Sequence, residues 1–445
     1  MTKNRGKIKG NLLALSPIVV FLGLYVVISL VIGDFYKIPI TVALLVATLW
    51  ALIIFKKTPF SQRVEAFAKE AGNPNVLYMV WIFILAGCFA TIADRTGAVQ
   101  ATVALTINQL PASFVMPGLF MAACFISMAI GTSVGTVVAL IPLAVSYANS
   151  IGADVPFFVA IILGGSFFGD NLSFISDTTI AATRTQGCKM NEKFKANFLL
   201  AFPAALITLG IYVLGDFPIP DTNANLPSDP WLIIPYLSVI ILAISGVNVT
   251  ITLVSGIILA LIIALFSGFD IFEIMGFMGD GIDGMGNLII ITLMAAGMLG
   301  LIKAAGGIDA LLHFLSKGIH GVKGAQATVS LLVGIVNLCT ANNTVAILTV
   351  GSISRNISEK YGISGRRCAS LLDTSSCIVQ CLIPYGAQTL LATSLAGISP
   401  TAPWTYLYYP WVLAGVVTLS IITTRSSALQ GLTSSLFSRK ATSSE

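Results

Sequence analysis

The chain has 445 residues, 56% of them hydrophobic and 10% charged, with a mean hydropathy of +0.92. Soluble domains carry about 25% charged residues, so the composition excludes a soluble globular domain and specifies an all-α polytopic membrane protein. The net charge of +5 lies mostly in short Lys/Arg clusters between apolar runs and reports topology, not nucleic-acid binding; seven cysteines without ligand-like spacing and only two histidines, His313 and His320, argue against a transition-metal site.

A span needs roughly 20 apolar residues. The first is predicted over 12–32, behind the basic flank Lys3, Arg5, Lys7 and Lys9, which places the N-terminus in the cytoplasm. The second covers 36–55 after a turn at Gly33-Asp34. Residues 60–70 are amphipathic and belong at the interface. A third span, 76–92, ends outside at Asp94-Arg95, and 99–110 forms a short helical connector.

Segment 114–149 is apolar at both ends and polar at its centre, Gly131-Thr132-Ser133-Val134-Gly135-Thr136. With both flanks outside it reads as a re-entrant hairpin, since irregular backbone at membrane depth must be buried in protein or line a wet cavity. A broken span follows over 156–182, interrupted at 170–173, and ends inside at Arg184, Lys189, Lys193 and Lys195. Another span, 198–214, leads to the base-free loop 216–229 that divides the chain.

The second half opens with spans 231–245 and 249–266, then an external acidic loop with Asp270, Glu273, Asp280 and Asp283. Span 288–302 ends at Lys303. Segment 325–354 is apolar around Thr340-Ala341-Asn342-Asn343-Thr344, has cytoplasmic flanks, and reads as a second hairpin entering from the opposite side. A second broken span covers 367–395, and the last span, 406–422, leaves the C-terminus inside with Arg425, Arg439 and Lys440.

The halves, 1–215 and 231–424, align in order. Ala86-Gly87 and Gly97 match Ala296-Gly297 and Gly307 at one constant offset, the two hairpin tips match, and Asp170 is paired with Asp373. Corresponding loops carry their Lys and Arg on opposite sides. The expected architecture is therefore two inverted repeats of about five transmembrane helices each, with two re-entrant hairpins and two broken helices that set a substrate near the midplane.

The break carries Gly164-Gly165-Ser166-Phe167-Phe168-Gly169-Asp170-Asn171-Leu172-Ser173-Phe174-Ile175-Ser176-Asp177-Thr178-Thr179. A charge at the centre of a membrane costs ~3 kcal/mol or more, so these acids mark a functional site. The stretch resembles the signature of the NhaC family of Na+/H+ antiporters, within the ion-transporter superfamily. Gly169, Asp170, Ser173, Ser176, Asp177, Thr178 and Thr179 stand at matching positions, while Phe174 replaces the usual proline. The resemblance implies cation/proton exchange, although relatives also exchange organic acids or carry amino acids.

Sodium takes hard oxygen ligands and needs its charge balanced in a low-dielectric site. Asp170 is the candidate Na+ ligand and proton carrier, able to hold one or the other; a helix cap is its structural alternative. Asp177 reads as a second proton site or a partner of Arg184, and Asp373 as a second ion site, a buried cap, or a partner of Lys303 or Arg367. Asn171, Ser173 and Thr178 are further ligand candidates, as are Thr132, Ser133, Thr136, Asn342, Asn343 and Thr344 at the hairpin tips. Gln380 and Gln388 read as packing glue between helices.

The expected function is secondary active exchange of Na+ for H+ across the cytoplasmic membrane by alternating access. The alternative is a Na+- or H+-coupled carrier or exchanger of an amino acid or small organic acid. No cofactor and no nucleic acid are expected; the partners are Na+, H+, that organic substrate in the alternative reading, the lipid bilayer, and a second copy in a homodimer. A channel lacks a repeated filter motif here, and an enzyme lacks a nucleophile–base set.

Overall fold

The computed structural model describes residues 11–28, 39–56, 58–109, 112–174, 176–215, 229–245, 247–315 and 319–424. The basic N-terminal flank, the turn at Gly33-Asp34, the dividing loop 216–228 and the basic C-terminus lie outside these residues.

Among the described residues the chain is helical, with no strand. In a bilayer this follows from the backbone, whose N–H and C=O groups are satisfied within a helix where no water is available. The first half runs α1 (Ser16–Leu22), α2 (Ile40–Ile54), α3 (Phe60–Ala71), α4 (Pro74–Arg95), α5 (Ala98–Gln109), α6 (Ala112–Ile130), α7 (Ser133–Ser150), α8 (Val155–Leu172), α9 (Asp177–Gln186) and α10 (Met190–Leu214). The second runs α11 (Ile234–Ile244), α12 (Val249–Phe266), α13 (Ile271–Gly284), α14 (Gly286–Ala304), α15 (Gly307–Leu315), α16 (Gly321–Thr340), α17 (Asn343–Lys360), α18 (Gly365–Leu382), α19 (Ala387–Ala396) and α20 (Tyr408–Thr423). Eight helical stretches among the described residues are long and apolar enough to cross a membrane, and shorter apolar helices accompany them.

The order of elements recurs, and α7, α8 and α9 reappear as α17, α18 and α19 with the same lengths at one constant offset. Side-chain bonds recur with them. The Ser127 hydroxyl donates to the Ser166 carbonyl, and at the counterpart positions the Asn337 amide donates to the Ser376 carbonyl. At both hairpin turns the backbone enters the left-handed region, at Gly131 and at Ala341.

Small residues bring the site helices together, the usual solution where lipid gives no hydrophobic drive between helices. A Cβ on Gly165 would lie 2.6 Å from the Ala123 Cβ, and one on Gly169 would lie 2.2 Å from the Ser127 Cβ. These two glycines, one turn apart on α8, let α6 approach to backbone contact and so set α8 against the hairpin.

Four expectations are corrected. The acidic stretch 270–283 is not a loop but helix α13, started by a capping box in which Asp270 and Glu273 satisfy each other's backbone N–H groups. It lies on α4, where a Cβ on Gly281 would come within 2.4 Å of the Gly87 carbonyl oxygen. The helix breaks fall later than expected. The first falls between the end of α8 and the start of α9, after Asp170, where Ser173 and Ser176 are extended (ψ 140° and 145°). The second follows α18 at Ile383, which is extended (φ −78°, ψ 127°) because Pro384 disfavours helix in the residue before it. Asp373 therefore lies inside a continuous helix, and the counterpart of Asp170 is Gln380. Lys193, read as part of a cytoplasmic flank, lies in α10 and is 1% exposed.

Candidate functional site

Helix α7 begins at Ser133 behind Thr132, an N-cap residue whose side chain makes no capping bond. The first N–H groups of a helix need acceptors, and its N-terminus favours negative charge. Asp170 supplies both from α8: its Oδ1 accepts the Ser133 N–H at 3.1 Å and its Oδ2 accepts the Ser133 hydroxyl at 2.6 Å. The carboxylate is thus a cap, on a neighbouring helix rather than on its own break, and is 5% exposed.

The other hairpin caps itself, since the Asn342 Oδ1 accepts the Val345 N–H at 3.0 Å. Gln380, at the position of Asp170, donates to the Ala341 carbonyl and to Gln388 Oε1, both at 2.9 Å. Gln388 in turn donates to the Ser133 hydroxyl oxygen at 3.0 Å. The two glutamines therefore form a relay from the second hairpin to the Asp170 contact.

A cavity of about 100 Å3 lies between the hairpin tips. Its walls include Thr132 and Ser133 from one tip, Asn342, Asn343 and Thr344 from the other, and Asp170, Asp177 and Thr178 from the broken helix. Eight of the twelve predicted residues therefore share one space. Asp177 is exposed at the first turn of α9, and no ion pair joins it to Arg184 among the described residues.

The remaining predicted residues do not line the cavity. The Thr136 hydroxyl turns back to the Thr132 carbonyl at 3.4 Å. The Asn171 amide donates to the Phe167 carbonyl at 3.0 Å. Ser173 closes α8 and accepts the Thr179 hydroxyl on its carbonyl at 2.8 Å. Phe174, where the family signature has proline, stacks on Phe194 of α10 with ring centroids 4.4 Å apart. The first break is thus held by side chains, the second by Pro384.

Asp373 meets neither Lys303, which pairs with Glu70, nor Arg367, which donates to Gln326 and Ser420. Its Oδ2 lies 2.6 Å from the Lys193 Nζ and accepts the Asn197 amide at 2.6 Å. Lys193 and Asn197 are the residues that the sequence reading missed. Their signal was spacing: Lys193, Asn197, Ala201, Ala204 and Thr208 share the buried face of α10.

The sequence profile of the Na+/H+ antiporter family matches residues 8–215 and 224–425. A malate-2H+/Na+-lactate antiporter of Bacillus subtilis is 21% identical, over 92% of this chain and 94% of that protein. The Na+/H+ antiporter NhaC of the same organism is 24% identical over 76% and 83%. An arginine/ornithine antiporter of Halobacterium salinarum is 22% identical over 78% of each. The crystal structure of the YdaH transporter of Alcanivorax borkumensis aligns with a TM-score of 0.43 at 13% identity, over 81% of this chain and 87% of that one.

Proposed function

The chain belongs to the Na+/H+ antiporter family, and from that premise we propose that it exchanges Na+ for H+ across the cytoplasmic membrane by alternating access, with Asp170 as the shared carrier of both ions. The observation that carries this reading is the placement of one buried carboxylate on the N-terminus of α7, at the wall of a cavity between two polar hairpin tips.

In the sodium-loaded state the Asp170 carboxylate balances the ion. The tip hydroxyls, the amide oxygens of Asn342 and Asn343, and Thr178 supply neutral oxygens. In the proton-loaded state the same carboxyl is neutral. Either loaded form crosses the low-dielectric barrier, whereas the empty carboxylate is held back by the cost of a bare charge in the membrane, ~3 kcal/mol or more. Asp177 sits on the exposed side of the cavity as the acid through which cations enter and leave.

In this reading the halves 1–215 and 231–424 are inverted repeats, both termini are cytoplasmic, and 114–149 and 325–354 are re-entrant hairpins. The inverted Lys/Arg pattern supports this, and the recurrence of α7–α9 as α17–α19 supports the repeat.

The second reading, exchange of an amino acid or small organic acid, is favoured by the malate/lactate and arginine/ornithine relatives. The cavity speaks against it: it is small, and its lining among the described residues includes no Arg or Lys to hold a carboxylate. Proteoliposomes given a sodium gradient, with internal pH recorded and a panel of amino and organic acids added or withheld, separate the two. Proton flux driven by sodium alone is expected; flux that appears only with an organic solute would replace this reading by the second.

A further inference from the structure

The Lys193 ammonium sits in a cage built like a cation site. Its Nζ lies 2.6 Å from Asp373 Oδ2, 2.9 Å from the Asn171 carbonyl oxygen and 2.6 Å from the Thr179 hydroxyl oxygen. A carboxylate, a carbonyl in the last turn of a helix and a hydroxyl are the donor set that a sodium ion would take. An ammonium has three N–H donors, and all three find acceptors here. Asn197 donates to the same Asp373 oxygen and to the same Asn171 carbonyl, at 2.6 and 2.8 Å, and closes the cage. Both ends of the ion pair are buried, Lys193 at 1% and Asp373 at 0% exposure.

We propose that Lys193 is a tethered cation that permanently fills a second cation site, so that Asp373 exchanges nothing and the transporter carries one Na+ against one H+ without net charge. The proposal rests on the antiport reading above for the identity of the cargo. The charge balance is simple. The protonated Asp170 carboxyl releases H+ as Na+ enters, and the sodium carboxylate that forms is neutral, as the acid was. Asp373 and Lys193 contribute minus one and plus one in both states. The side chain keeps Asp373 neutralised while tying the end of α8, the start of α9 and the middle of α18 to α10.

The test is the dependence of exchange on membrane potential, clamped with potassium and valinomycin in proteoliposomes. At a fixed pH gradient one finds the sodium gradient that stops proton flux. For each net charge moved, ~100 mV shifts that null point about 50-fold; for none it does not move. The wild-type null point is expected to stay put. In Lys193→Met the Asp373 carboxylate has lost its counter-ion and takes a second cargo ion, H+ in one loaded state and Na+ in the other, so exchange stays neutral but the Na+ bound per protein, counted with radioactive sodium in detergent, is expected to rise from one to two. The double variant Lys193→Met/Asp373→Asn is expected to return to one. A potential-dependent wild type, a wild type that binds two Na+, or a Lys193→Met protein that still binds one, overturns the proposal. A second measurement serves protein that does not transport, counting protons released per Na+ bound in lightly buffered detergent. One per ion is expected for wild type at a pH acid enough that Asp170 starts protonated; any other count there overturns the proposal. If exchange requires an organic solute, the antiport reading fails while the proton count still decides this inference. Absence of Na+ binding overturns both.

Discussion

At the scale of single residues, exchange turns on Asp170 and on Ser133, whose N–H and hydroxyl both donate to its carboxylate. Asp170→Asn is expected to abolish sodium-driven proton flux while leaving a folded protein, because the amide oxygen still accepts the Ser133 N–H. The check is flux in proteoliposomes beside a size-exclusion profile in detergent. Ser133→Ala removes the hydroxyl bond to the carboxylate and the end of the Gln388 relay. A hydrogen bond to a charged group contributes ~1.5–3 kcal/mol, so the apparent sodium affinity is expected to fall at least about tenfold, read from the sodium dependence of flux. The acids and the hairpin tips were legible because charges and amides inside apolar runs have few bland explanations. Lys193 was not legible by type. It lies between Lys189 and Lys195, and a basic cluster at a helix start looks like a cytoplasmic flank until its spacing to Asn197 and Ala201 is followed.

At the scale of elements, the two broken helices solve one problem in two ways. Pro384 stops α18 through backbone sterics, whereas α8 stops at Ser173 with no proline and is tied by Thr179, Lys193 and the Phe174–Phe194 stack. Both breaks were expected, but at the acids. They lie elsewhere because Asp170 caps a neighbouring helix and Asp373 neutralises a lysine, so neither has to sit at its own break. The hairpin turns offer a clean test of backbone chemistry. Ala341 holds φ +49°, where Gly131 stands in the other hairpin. An L-residue there costs ~1–2 kcal/mol, and glycine recovers most of this against its greater freedom in the unfolded chain. Ala341→Gly is expected to raise the melting temperature in detergent by a few degrees and Gly131→Ala to lower it. The helix α13 escaped the sequence reading because its four acids were counted for topology, which hid the apolar spacing of Ile271, Ile274, Met278 and Ile282.

At the scale of the molecule, the halves hold each other by exchanging their amphipathic helices. Helix α3 lies on α14, where Gly297 and Gly300 make room for Phe67 and Ala66, and Lys303 meets Glu70 at 2.5 Å. Helix α13 lies on α4 across the Gly87–Gly281 contact, with Arg95 and Asp280 3.9 Å apart at the surface. An exposed pair of that kind adds ~0–1 kcal/mol, so the glycine contact carries the joint. Gly281→Val is expected to force the helices apart and destabilise the protein by ~1–3 kcal/mol, measured as a fall in melting temperature, whereas neutralising Asp280 is expected to change little. The overall arrangement of apolar helices and polar tips could be read from the order of apolar and polar runs. The contacts between halves could not, because they depend on small residues whose partners lie some two hundred positions away.

The claim that binds these scales together is that sodium and proton compete for one carboxylate. It is tested most directly by the apparent affinity for sodium, measured from proton flux in proteoliposomes over a series of pH values. In the acidic range sodium affinity is expected to weaken about tenfold for each unit fall in pH, and Asp170→Asn to show no exchange at any pH. A sodium affinity that ignores pH, or exchange that survives in Asp170→Asn, would contradict it.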